Sequence, residues 1–289
     1  MDVYLIGILV TITVFGLMAI SLDLLIGYTG LFTIAQAAIF GAGAYASALA
    51  ALTWGVGFWG GAVFAIAVGA LVAAVISIPS LRVSGDYLVL ASFGVQVVFH
   101  GLFLNLDGVT GGPAGLRAIP RPEMFGVTID RPSEYLVLYL AIAAVVVVVL
   151  RRMLAGPFGL LLQAIRDDEI VPQALGKNVL RLKVKVFVLS GAIAGLSGSL
   201  YAHYITFISP ESFDVHTSIF VLAMVLVGGM GTLWGALVGA AILVSLPEAL
   251  RFLPLPAMTL GPTRQIIYGL VLIIVCFWRP RGLIGRRLR

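Results

Sequence analysis

The chain has 289 residues, of which 61% are hydrophobic and only 11% charged, with a formal net charge of +5. Soluble domains carry roughly 25% charged residues, so the composition excludes an ordinary soluble enzyme and defines an all-α integral membrane protein. The pI near 9.6 does not signal a nucleic-acid partner, because the cations cluster beside apolar runs rather than along a folded surface.

Apolar segments fall at 3–22, 31–52, 61–79, 87–104, 135–150, 186–206, 217–230, 233–250 and 265–278. A crossing helix needs about 20 residues, so about eight to ten transmembrane segments are expected, the short ones as discontinuous helices. The N-terminal run has no basic n-region and reads as a first span, not a removable signal. The whole chain, 1–289, is read as a single transmembrane domain with a Gly/Pro-rich loop at 105–134 and a basic loop at 151–185. The loop 105–134 cannot be helical throughout; it is either a solvated connector or a platform for a soluble partner.

The basic loop holds seven cations, Arg151, Arg152, Arg166, Lys177, Arg181, Lys183 and Lys185. The positive-inside rule places it in the cytoplasm, along with the tail from Arg279 to Arg289 and with Arg82. Four crossings fit between loop and tail, and 105–134 then lies outside. No Lys or Arg occurs in the first 81 residues, so the side of the N-terminus is left open. Within the loop, Arg166, Asp167, Asp168 and Glu169 give an acidic start to a short helix, favourable at its positive dipole end. Ala174, Leu175 and Gly176 form its small apolar end, suited to a groove on another protein. The plainer alternative is an amphipathic helix lying on the bilayer.

Two stretches share one construction, a glycine turn followed by a small-residue helix: 27–51 and 228–243. They suggest an internal repeat, with Gly231, Gly235 and Gly239 as a double GxxxG face and Gly191 with Gly195 as a packing pair. Gln36 and Ser92 are uncharged polar groups inside apolar runs. With Gly228, Gly229 and Gly231 they are the candidates for lining a pathway. Asp23, Asp86 and Glu248 fall near span ends, where loop or headgroup hydrogen bonding explains them better than proton transfer. His100, His203 and His216 show no metal spacing, and His203 reads as a polar boundary residue. The single cysteine, Cys276, excludes an internal disulfide or a CxxC site and reads as an inert buried thiol. No Walker A sequence, nucleophile–base pair or carboxylate dyad is present, so no catalytic, cofactor or metal site is expected. A membrane protein of this kind with no ionisable pathway is expected to draw any energy it uses from another chain.

The stretches AIRDDEIVPQALGKNV, SGAIAGLSGSLYAHYITFISPESF, GGMGTLWGALVGA, GYTGLFTIAQAAIFGAGAY and TGGPAGL, which span most of the chain, resemble the branched-chain amino acid ABC importer permeases, closest to the M-type subunit. The resemblance implies a bacterial or archaeal cytoplasmic-membrane protein that pairs with a second homologous permease subunit. It also implies two cytoplasmic ATPase subunits that hold the ATP, and an external solute-binding protein that selects leucine, isoleucine or valine. Related permeases carry other amino acids, amides or urea. Carried over by position, Glu169 to Gly176 is the coupling helix, from which Pro172 is a departure. The expected mechanism is alternating access. An ion-coupled secondary transporter and a passive channel are the alternatives of another class.

Overall fold

A computed structural model describes residues 2–80, 85–124, 127–129, 131–250, 269–270 and 282–284. Arg82, the expected span 265–278 with Cys276, and the tail cations lie outside the described residues, as does the side chain of Glu248. Helices α1 (Asp2–Thr29), α2 (Gln36–Trp54), α3 (Phe58–Ser80), α4 (Asp86–Asn105) and the single turn α5 (Asp107–Thr110) come first. After the loop come α6 (Pro132–Ala155), α7 (Pro157–Asp167), α8 (Ile170–Ala174), α9 (Val179–Ile205), α10 (Val215–Gly228) and α11 (Leu233–Leu250). Among the described residues, α1, α2, α3, α4 and α6 are each long and apolar enough to cross a membrane.

Helix α1 runs on past Asp23 to a glycine stop. Gly30 adopts a left-handed φ of +71°, which lets its N–H reach Ile26 O at 3.1 Å and lets the N–H of Leu31 reach Leu25 O at 2.9 Å. Residues 30–35 are not helical, so the apolar run 31–52 is a broken element and not a plain span.

Helix α9 is the axis of the bundle, packed against α1, α2 and α3. Its buried face sets Gly and Ser among the larger apolar residues, which lets backbones meet. A Cβ on Gly43 of α2 would collide with the backbone of Gly195, and one on Gly191 would collide with Gly69 of α3. The Gly191–Gly195 pair is therefore packing, as the sequence suggests.

Segment 217–230 is the short, discontinuous element expected, but it is joined to 233–250 through a sharp bend and the two are not separate plain crossings. The 14-residue α10 is about 21 Å long, short of the roughly 30 Å hydrocarbon core. It meets α11 at a bend of 119°, so the chain folds back at the elbow between the two helices. Gly231 lies in the elbow, with φ +76°, and not on a helix face. Gly235 and Gly239 face back onto α10, where Cβ atoms would strike the carbonyls of Gly229 and Met224. The predicted GxxxG face is thus the inside of a hairpin.

The two ends of the bundle differ. At one end lies the basic loop, shorter than predicted: α6 continues through Arg151 and Arg152 to Ala155, and α9 begins at Val179. Long basic side chains extend a helix beyond its apolar part without burying charge. At the far end, the 105–134 loop is stitched to α9. Strand β1 (Leu116–Arg117) pairs antiparallel with the strand Phe207–Ile208, and Arg117 stacks over Phe207 at 5.6 Å. His203 is buried, not a boundary residue. It bonds Ser47 Oγ at 3.0 Å and Pro120 O at 2.7 Å, joining α9, α2 and the loop.

Candidate functional site

The first turn of any α-helix has N–H groups without helical partners. Helix α2 starts inside the bundle, and its N-cap, Ala35, has no side-chain acceptor to offer. Other helices supply the caps. Ala37 N–H donates to Ser218 Oγ of α10 at 2.9 Å, and Ala38 N–H donates to Gln96 Oε1 of α4 at 2.8 Å. Just before the helix, Ile34 N–H donates to Ser92 Oγ at 2.9 Å. Gln96 Nε2 in turn donates to Phe213 O at 2.8 Å, which ties in the 3-10 turn Pro210–Phe213 that precedes α10. Gln36 points to the other side, its amide nitrogen donating to Ser21 Oγ of α1. All five polar residues of this node, Ser21, Gln36, Ser92, Gln96 and Ser218, are buried.

The node is sealed towards the far end by aromatic rings. Phe213 stands edge-on to Phe40 and to Tyr45, both at 5.5 Å between centroids, and Phe103 closes on Tyr45 at 5.0 Å. Towards the basic end the packing is looser. A cleft of about 500 Å³ opens there between Gly30, Leu31 and Phe32, the start of α4 and the basic loop. Val89 lines it, one turn from Ser92, whose hydroxyl donates to Val89 O at 2.8 Å.

A second node holds the elbow between α10 and α11. Asp23 of α1 is fully buried, and its Oδ1 accepts from Gly231 N–H at 2.7 Å. Loop hydrogen bonding is the role the sequence suggests for this acid, although it sits well inside α1. Gly27 lies against the same spot, where a Cβ would strike Asp23 Oδ1 and Gly231 N. Gly228 and Gly229 complete the elbow. Gly228 O accepts from Ile284 N–H at 2.9 Å, and Gly229 caps α10 with φ 114°. The candidates Gln36 and Ser92 therefore belong to one node, and Gly228, Gly229 and Gly231 to another. Sequence reasoning missed Gln96 and Ser218, while Gly27 opens the glycine turn that the sequence shows. Gln96, a lone amide in the run VQVV, was the one with a visible signal.

The basic loop is folded, not a plain connector. Helix α7 buries Leu162 and Ile165. The chain then breaks at Asp168, whose Oδ1 accepts from Ile170 N–H at 2.8 Å. Glu169 pairs with Lys183 of α9. Pro172 is buried within the first turn of α8, a position proline tolerates, so the departure at this residue does not disturb the helix. Gly176, at φ +73°, turns the chain after Ala174 and Leu175. Leu175 is 72% exposed, with Ile170 and Val171 beside it in sequence and also exposed. Ala174 and Gly176 are exposed as well. Arg166 goes elsewhere: its Nη1 donates to Gly27 O at 2.7 Å, while Asp167 Oδ1 accepts from Nε and Nη2, each at 3.2 Å.

These features define a multi-pass permease-type membrane protein with broken helices meeting inside the bundle. The chain belongs to the family described as branched-chain amino acid transport system, permease component, whose model matches residues 4–276. It is 31% identical to the high-affinity branched-chain amino acid transport system permease protein LivM of Salmonella typhimurium and to that of Escherichia coli, over 94% of this chain and 68% of each relative. It is 29% identical to the autoinducer 2 import system permease protein LsrC of Yersinia enterocolitica, over 70% of this chain and 55% of that relative. No solved structure matches.

Proposed function

We propose that this chain is the M-type membrane-spanning subunit of an ATP-driven, binding-protein-dependent importer of leucine, isoleucine and valine. The observation that carries the reading is the tip of the basic loop. Ile170, Val171 and Leu175 are exposed on a short helix braced from below by α7 and by the Glu169–Lys183 pair. An apolar tip on a rigid, polar base is a docking knob, and ATPase subunits supply what fits it. The ATP is held by those subunits and no cofactor by this chain. A second homologous permease, two ATPase subunits and an external solute-binding protein complete the assembly.

The seven cations put the loop in the cytoplasm. Residues 282–284 bond to Val227 and Gly228 at this same end, which supports a cytoplasmic C-terminus. The N-terminus of α1 then faces outside. An apolar zwitterion needs donors for its carboxylate without fixed countercharges along the route. The first-turn N–H groups of α2 suit that need once Gln96 and Ser218 release them.

The test is ATP-dependent uptake of labelled leucine into proteoliposomes holding the whole assembly. Ala174→Asp or Leu175→Asp is expected to insert normally yet abolish association with the ATPase, and uptake with it. Undiminished uptake in both variants would sink the docking assignment. Uptake by this chain without any ATPase would instead favour the secondary-transporter or channel reading.

A further inference from the structure

Arg166 stands at the root of the loop rather than on its tip, and its guanidinium is turned into the bundle. The reason lies in α1. The last four carbonyls of a helix lack helical partners and attract cations, yet α1 has no basic residue in its last turn. Arg166 fills that role from another helix by donating to Gly27 O at 2.7 Å. Its stem lies on Gly30, where an added Cβ would come within 3.1 Å of Arg166 Cγ. The accompanying contact with Asp167, a side chain 66% exposed, adds orientation but little energy, as surface pairs do. The inward bond is what fixes the side chain.

Beside it lies a carboxylate that is only half used. Asp23 Oδ1 holds Gly231, but the equally buried Oδ2 has no partner among the described residues. A buried carboxyl oxygen without a hydrogen bond is costly. The two acceptors, Gly27 O and Asp23, are also mechanically joined. Gly27 has no room for a Cβ against Gly231 and Asp23, and an added Cβ on Gly231 would come 3.5 Å from Arg166 Nη1.

We propose that Arg166 is the positioning residue through which the basic loop moves both helix breaks, by exchanging the Gly27 carbonyl for the free oxygen of Asp23. With the guanidinium on Gly27 O, the loop is tied to the end of α1 and the start of the 30–35 break. With it on Asp23 Oδ2, the loop is tied to the acid that holds the 229–232 elbow. Neither position needs a bond to be made or broken beyond hydrogen bonds, and the second relieves the bare carboxylate. The inference rests on the loop being the ATPase contact, and it adds how that contact reaches the bundle.

The experiment uses the complete importer in proteoliposomes and reads leucine moved per ATP hydrolysed, with ATPase association measured alongside. Arg166→Gln and Asp23→Asn are each expected to keep association and hydrolysis while the ratio falls about tenfold, in the ordinary range of coupling energies. Arg166→Lys, which keeps the charge but not the planar fork, is expected to fall between wild type and Arg166→Gln. The double variant is expected to be no worse than either single one, because both remove the same step. A wild-type ratio in Arg166→Gln, or multiplying losses in the double variant, would overturn the exchange. Loss of ATPase association in Arg166→Gln would also overturn it and make Arg166 a docking residue. If Asp23→Asn fails to fold, spin labels on α7 and α11 decide the matter in the Arg166 variants. The ATP-dependent distance change should vanish in Arg166→Gln, and its persistence would refute the proposal. An assembly in which even the unaltered chain binds no ATPase defeats the functional reading itself.

Discussion

The break at 30–35 and the elbow at 229–232 leave the same kind of debt, backbone groups freed inside the bundle, and they settle it with different groups. At 30–35 the donors go to uncharged side chains on other helices: Ser92, Gln96 and Ser218. At 229–232 the main anchor is a buried carboxylate, Asp23, and the elbow is crowded by glycine backbones that tolerate no Cβ. The first break is held by neutral bonds that a sliding helix can trade for other partners. The second is held by a buried carboxyl and by close backbone contact, so it moves as a unit or not at all. A path for a polar solute is better built on the first kind, and a lever on the second.

Substitutions sharpen this contrast. Gln96→Leu should be the most damaging, because it strands both Ala38 N–H and Phe213 C=O in the interior. At about 2 kcal/mol for each stranded group, about 4 kcal/mol is expected. Interhelical hydrogen bonds in membranes average only about 0.6 kcal/mol, so a loss that small would mean the freed groups find new partners. Thermal unfolding in detergent distinguishes the two outcomes. Gly27→Ala should cost about 3 kcal/mol by forcing α1 away from the elbow, and pairing it with Gly231→Ala should add less than the sum of the singles. Ser92→Ala removes one cap from outside the helix and should cost only about 1 kcal/mol. If Ser92→Ala proves worse than Gly27→Ala in the same unfolding assay, the ranking of the two breaks is wrong.

Much of the architecture is readable along the chain, because its signals are local. The apolar runs, the glycine turn at Gly30, the irregular loop with its TGGPAGL motif and the short helix ending at Ala174 all follow from neighbouring residues. The node around α2 is not local. Ala35 gives no sign of a helix start, since its caps come from partners 58 and 181 residues away in sequence. Arg166 likewise looks like one more cation of a basic loop, and only the fold shows it bonded to a carbonyl 139 residues earlier. The shortness of α10 is legible, since the run 217–230 is too brief for a plain span, but the 119° turn into α11 is not, because neither run says where the chain folds back.

Residues 282–284 carry a consequence for how the chain is made. Leu283 and Ile284 donate to the carbonyls of Val227 and Gly228, and Ile284 O accepts from the Thr232 hydroxyl, 52 residues away in sequence. While the chain is being synthesised, α10 and α11 emerge long before these partners exist. The hairpin must therefore enter the membrane with its tip unfinished and be closed only by residues translated some 52 positions after Thr232. A label inserted directly after Ile284 sits on that closure.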